Sequence, residues 1–189
     1  AQIALHYRVT GTDGREHAFT ETITLPASLA AADQAVVEPI VRLLHFAAAP
    51  SYFKAFAPAR ITVPSGLTHQ ERHFFTEVLT NGLGEFAYVN DLPQVFDTEI
   101  DAPDRPDTTG TAPEVAEPQR MLVAVGGGKD SIVSLELLKQ AGYELGLFSV
   151  NSYQPIEATA VAAGIELRSA VRKLDPHLFD LNKEGAPNG

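Results

Sequence analysis

The sequence predicts a mixed α/β protein, with an amino-terminal α+β unit followed by a domain built on a parallel sheet. Three observations carry that reading. Residues 1–96 alternate period-2 stretches with stretches of period three to four. Residues 97–119 are acidic and proline-rich. From residue 120 onward, short apolar runs alternate with amphipathic segments, the texture of a β-α-β-α-β series.

Ile3, Leu5, Tyr7 and Val9 alternate with Ala4, His6 and Arg8, as in a strand with one buried face. Turn chemistry follows in Gly11-Thr12-Asp13-Gly14, and residues 18–25 make the second strand of a hairpin before Pro26. From about Ala31 the spacing changes: Val36, Val37, Ile40, Leu43, Leu44 and Ala47 predict an amphipathic helix that Pro50 stops. Ile61-Thr62-Val63 reads as a short strand. Thr68 and Glu71 have the spacing of a capping box. The helix they open has Phe74, Phe75, Val78 and Leu79 on its apolar face and closes at Asn81-Gly82.

Between 97 and 119, Asp97, Glu99, Asp101, Asp104, Asp107, Glu114 and Glu117 alternate with Pro103, Pro106, Pro113 and Pro118. Only Ile100 and Val115 are bulky and apolar, too little burial to offset the entropy of ordering the stretch. An extended, mobile linker is predicted, separating domains 1–96 and 120–189. Beyond it, 121–125 is a continuous apolar run, expected as a strand buried on both faces. A helix over 131–141, a strand over 145–150, a helix over 155–163 ending at Gly164 and a strand over 165–171 complete a parallel unit with right-handed crossovers.

Composition narrows the function. With 14 Lys and Arg against 24 Asp and Glu, the net charge of −10 opposes sequence-independent nucleic-acid binding and adhesion to anionic membranes. Zero cysteines remove disulfides, cysteine zinc sites and cysteine nucleophiles. Residues 1–8 lack the basic-then-apolar order of a signal peptide, and no apolar run reaches membrane-spanning length, so the expected address is the cytoplasm.

The loop Gly126-Gly127-Gly128-Lys129-Asp130-Ser131 joins the first predicted parallel strand to its helix. Glycines let backbone N–H groups approach an anion, the helix directs its positive end to the same place, and Lys129 and Ser131 add a charge and a donor. This is the composition of a phosphate cradle. It is not a Walker A loop, which would need Gly where Val123 stands and Ser or Thr where Asp130 stands. Nor is it a dinucleotide fingerprint, which would need Gly at Ser131.

The loop resembles the PP-loop of the ATP pyrophosphatase superfamily, usually SGGxDS, with Gly126 in place of the usual Ser. That resemblance implies an adenine nucleotide hydrolase-like fold in which Gly126, Gly127, Gly128, Lys129, Asp130 and Ser131 hold the phosphates of ATP. It also implies Mg²⁺ partly held by Asp130, and the run Ser149-Val150-Asn151-Ser152-Tyr153, Asn151 included, lying beside the adenosine. The whole arrangement, with Leu174-Asp175-Pro176-His177-Leu178-Phe179-Asp180-Leu181-Asn182, is similar to the bacterial UDP-N-acetylmuramoyl-L-alanyl-L-glutamate epimerases. The implied reaction is ATP-dependent inversion of the terminal L-Glu of a UDP-muramoyl dipeptide to D-Glu, through an acyl adenylate, in peptidoglycan precursor synthesis. Other implied classes are an amide synthetase, an RNA-thiolating enzyme or a non-catalytic ATP-binding protein.

The sequence leaves the epimerising base open among His, Asp, Lys and other groups. His69 and His73, four apart, read as a solvated helix face, because Gln70 breaks the metalloprotease pattern. Asp175 and Asp180 are as readily capping or turn residues as catalytic ones. Members of the epimerase family are much longer than 189 residues, and PP-loop sheets have about five strands against the three expected over 120–189. The remainder of a longer polypeptide, or a second chain, is therefore expected to complete the sheet.

Overall fold

The computed structural model describes residues 1–11, 13–107 and 120–187. The chain is mixed α/β. Its larger sheet has the order β1-β2-β7-β6-β5, built from β1 (Gln2–Thr10), β2 (Glu16–Thr24), β5 (Arg120–Ala124), β6 (Glu144–Val150) and β7 (Leu167–Lys173). Strands β5, β6 and β7 are parallel, with Val123 opposite Leu147 and Ser149 opposite Ser169. Helices α5 (Lys129–Gln140) and α6 (Gln154–Ala163) are the crossovers, as the alternating sequence pattern predicts. Gly164 ends α6 at φ 67°, a left-handed C-cap that glycine adopts without strain.

Two expectations need correction here. The outer edge of β7 is paired antiparallel with β2, Ile23 facing Arg172, so the chain's own amino-terminal hairpin supplies part of the sheet completion expected from elsewhere. The pairing spans some 150 positions of sequence and leaves no local signature; its side-chain mark is the ion pair of Glu21 with Arg172, 2.6 and 3.1 Å, in which Glu21 is fully buried. Strand β5, at the end of the order, is not buried on both faces. Val123 is in the core but Leu122 is 65% exposed, because nothing among the described residues covers that face.

The chain divides into two compact units that each recruit several segments. The first takes Ala1–Ala4, Glu21–Ala31 and Thr111–Lys173. Its core is Val123, Val125, Leu135, Leu147, Ile156 and Ala160, the inward residues of β5, α5, β6 and α6.

The second unit takes Leu5–Thr20, Ala32–Gly110 and Leu174–Gly189. It holds α1 (Gln34–Ala48), α2 (Pro50–Phe53), α3 (His69–Gly82), α4 (Gly84–Val89), a 3-10 turn (Pro93–Asp97), the parallel pair β3 (Arg60–Thr62) and β4 (Glu99–Asp101), and α7 (Pro176–Lys183). α1 ends at Ala48, just before Pro50 as predicted, and Pro50 then opens the short α2, since a first-turn proline loses no helical hydrogen bond. Phe46, Phe53, Phe75, Leu79, Leu83 and Phe86 form one core cluster, and Phe19, Tyr52, Ala55, Leu178 and Leu181 another. The capping box at Thr68 is present: its hydroxyl accepts from the Glu71 N–H, and the Glu71 carboxylate accepts from the Thr68 N–H. Glu71 also takes two hydrogen bonds from Arg42 of α1, at 2.5 and 3.0 Å. That guanidinium holds the Glu71 carboxyl below its ordinary value against the opposing effect of burial.

The stretch expected as a linker from residue 97 departs from that picture over its first half. Glu99–Asp101 is β4, and Arg72 donates to the carbonyls of Ile100 and Ala102. Backbone ladder bonds, arginine contacts and the packing of Ile100 and Ala102 against the apolar cluster together order this segment. Residues 108–119, the rest of the expected linker, lie outside the described residues.

Candidate functional site

The 126–131 loop lies at the carboxyl end of β5, and α5 begins within it, at Lys129, two residues earlier than the apolar pattern predicts. Gly128 is the N-cap, and a glycine has no side chain to accept from the first turn. The Ser131 hydroxyl does not serve as a cap either: it donates to the Gly128 carbonyl at 2.8 Å. The first N–H groups of α5 therefore keep the open donors of an uncapped helix start. The N–H groups of Gly126, Gly127 and Gly128 likewise donate to no protein acceptor among the described residues.

The three glycines have different causes. Gly127 sits at φ 76°, and an added Cβ would lie 2.9 Å from Pro155 Cβ and 3.1 Å from Ile156 N. The fold itself demands glycine there, because the loop rests on the start of α6. At Gly126 and Gly128 a Cβ would meet nothing within 4 Å, and neither φ is positive. Packing does not require glycine at these two positions; bare backbone there leaves room for a group to approach the N–H donors. Lys129 is exposed and forms no ion pair among the described residues, and Asp130 is exposed beside it.

The second half of the expected site is also in the first unit, but its side chains are engaged. Asn151 has φ 52°; its carbonyl oxygen accepts from the Arg172 N–H at 2.8 Å, and its amide donates to the Arg172 carbonyl at 3.0 Å. The amide thus clasps the end of β7. Ser149 and Ser152 join Ser169 in a hydroxyl cluster, with Ser149 to Ser152 at 2.6 Å and Ser152 to Ser169 at 2.7 Å. Tyr153 has a part the sequence did not disclose, since its hydroxyl donates to the Gly126 carbonyl at 3.1 Å and ties the loop to the β6–α6 turn. With Pro155 beneath Gly127, it sets the shape of the loop; an aromatic residue two positions before a proline in the first turn of α6 is the sequence signal they carry.

The remaining candidates make local structural contacts. Asp175 is the N-cap of α7, accepting from His177 N–H at 2.9 Å and from Thr20 N–H at 2.8 Å. His177 stacks on His17, with Nε2 and Nδ1 3.0 Å apart. Asp180 pairs with Lys183 at 2.8 Å, and that ammonium keeps its carboxyl below the ordinary value. The His69 N–H donates to Asp107. No group of three or more His, Asp or Glu side chains is placed to hold a metal among the described residues. No helix among them is long and apolar enough to cross a membrane.

Fold and loop define a class: a mixed α/β protein whose parallel unit carries a glycine-rich, uncapped turn at the carboxyl end of a strand, the position where open α/β sheets take ligands. The particular family follows from comparison. The chain belongs to the MurL N-terminal domain family, whose model matches residues 1–189. It is 44% identical, over 97% of its length, to a protein of Micromonospora sp., and 43% identical, again over 97%, to one of Salinispora tropica. A protein of Xanthomonas oryzae pv. oryzae is 36% identical over 89% of the chain. All three are named UDP-N-acetyl-alpha-D-muramoyl-L-alanyl-L-glutamate epimerase. The chain covers 41%, 40% and 38% of these curated relatives, respectively. No solved structure matches it.

Proposed function

We propose that this chain is the ATP-binding amino-terminal part of an epimerase that inverts the terminal L-Glu of UDP-N-acetylmuramoyl-L-Ala-L-Glu to D-Glu during peptidoglycan precursor synthesis. The relatives' names support the reaction. The observation that carries the use of ATP is the pair Gly126 and Gly128, glycines without a packing reason, flanking Gly127 at positive φ and an uncapped helix start with Lys129 beside it. Such a turn fits a polyphosphate, and its resemblance to a PP-loop favours cleavage between the α- and β-phosphates.

The chemistry explains why an epimerase needs ATP. A carboxylate makes its own α-C–H a very weak acid, because deprotonation would build a second negative charge beside the first. Attack of the glutamate α-carboxylate on the α-phosphorus forms an acyl adenylate and releases pyrophosphate. The mixed anhydride has lost the carboxylate charge, so a base can remove the α-proton; return of a proton to the opposite face inverts the centre, and hydrolysis frees AMP. In this scheme the loop N–H groups, the α5 amino terminus and Lys129 hold the departing pyrophosphate and offset its growing charge. Asp130 would contribute to a Mg²⁺ site, where the ion shares that neutralisation.

The reaction is tested by incubating the full-length protein with ATP, Mg²⁺ and the UDP-muramoyl dipeptide. D-Glu in the acid hydrolysate, formed together with AMP and pyrophosphate, is the expected result. Inversion without nucleotide would remove ATP from the scheme. AMP release with a new amide and no D-Glu would identify an amide synthetase instead.

A further inference from the structure

A cleft of about 820 Å³ lies inside the second unit, within the range of roughly 300–1,000 Å³ typical of small-molecule sites. Its walls come from residues 6–10 of β1, 18–20 of β2, helices α1 to α3, and β3 with the turn after it. The floor is apolar, where Tyr7 and Val9 of one hydrophobic cluster meet Phe46, Ile61 and Val63 of the other. The charge of the lining is one-sided. It includes Arg8, Arg42 and Arg60, with His6 and His45, and no carboxylate among the described residues. In a chain with 24 acidic and 14 basic residues, this cavity offers an anion arginine side chains whose carboxylate partners, Glu16, Glu71, Glu99 and Asp101, are not among its lining residues.

The arginines are not equivalent. Arg42 is immobilised by Glu71, Ser65 and the Gly66 carbonyl, and it serves as wall. Arg8 and Arg60 carry exposed heads. Arg8 meets Glu16 at 3.7 Å, and Arg60 meets Glu99 at 2.9 Å and Asp101 at 4.0 Å. Pairs this open to water hold their partners weakly, so both guanidinium groups can turn to a bound anion at small cost. Guanidinium groups suit phosphate oxygens through paired N–H donors.

We propose that this cleft takes the nucleoside diphosphate end of the muramoyl substrate, with the pyrophosphate against Arg8 and Arg60 and the base and ribose over the apolar floor. The proposal rests on the epimerase reading above, and it assigns substrate anchoring to a unit different from the one that carries the glycine loop. An adenine nucleotide has the same chemistry, so the test must separate the two sources.

Calorimetric titration of the full-length protein with UDP and, separately, with ATP does so for wild type, Arg8→Ala/Arg60→Ala and Arg8→Glu/Arg60→Glu. Both substituted sites are exposed, and a matched melting temperature checks folding. The expected result is UDP affinity at least about tenfold weaker in the alanine pair and weaker still in the glutamate pair, with ATP affinity unchanged. The KM for the UDP-muramoyl dipeptide should rise while kcat is kept. UDP affinity that ignores both variants, absence of UDP binding to wild type, or loss of ATP affinity in place of UDP affinity would each overturn the assignment. If D-Glu forms while UDP ignores the arginines, the cleft assignment falls and the epimerase reading stands. If UDP depends on the arginines and no D-Glu forms, the epimerase reading falls and the cleft remains a nucleotide site.

Discussion

Lys129 is an exposed cation within a six-residue loop whose shape is set by Gly127, Pro155 and Tyr153. Because no carboxylate among the described residues holds it, its replacement by Ala should leave the fold intact and weaken ATP binding by more than about tenfold, roughly 1.4 kcal/mol, in a direct titration. Gly127→Ala should behave differently. It places a Cβ at φ 76° against Pro155, costing about 1–2 kcal/mol in the backbone alone, so the melting temperature should fall together with ATP affinity. A variant that melts like wild type would contradict the requirement for glycine at this φ and beside Pro155. The loop composition was legible in the sequence because glycines and a lysine between strand and helix are a local pattern. The engagement of Asn151 with Arg172 was not, because its partner lies 21 positions away and nothing local marks the contact. Tyr153 was named only as a neighbour of the adenosine, whereas its hydroxyl grips the loop itself.

Elements make their own predictions. The capping box at the start of α3 was readable from Thr68 and Glu71 alone, and Thr68→Ala should cost about 1 kcal/mol in denaturant unfolding. Glu71 links that cap to Arg42, so its charge matters to more than one element. Its folded-state value is depressed, chiefly by the Arg42 hydrogen bonds, from an ordinary 4.5. The stability it adds is therefore complete above that value and lost as pH falls through the depressed one. The melting-temperature gap between wild type and Glu71→Gln should be widest near neutral pH and narrow on acidification; a gap constant with pH would contradict this. The β2–β7 pairing was not legible, because strand partners distant in sequence share no periodic signal. Its ion pair gives a sharp contrast. Arg172→Ala leaves a fully buried Glu21 carboxylate unpaired and should cost about 3–5 kcal/mol, whereas Glu21→Leu/Arg172→Met should recover much of that loss. Equal losses in both variants would mean that the pair's charges are not what matters there.

At the scale of the molecule, the sequence conveyed the β-α-β-α-β order and the parallel unit, since each crossover is short and each strand locally apolar. It misassigned residues 97–107, where acidic and proline-rich composition reads as linker but backbone pairing with β3 and the Arg72 contacts make structure. It also missed α4 and α7, segments too short for a periodic signal to rise above the surrounding turns. The central proposal joins these scales: that the glycine loop activates a carboxylate with ATP so that its α-proton can be exchanged. The most direct measurement is exchange of labelled pyrophosphate into ATP by the full-length protein with the UDP-muramoyl dipeptide, in wild type and Lys129→Ala. The account predicts exchange that requires the dipeptide and falls at least about tenfold in the variant. Formation of ADP and phosphate, or exchange that Lys129→Ala leaves unchanged, would contradict it.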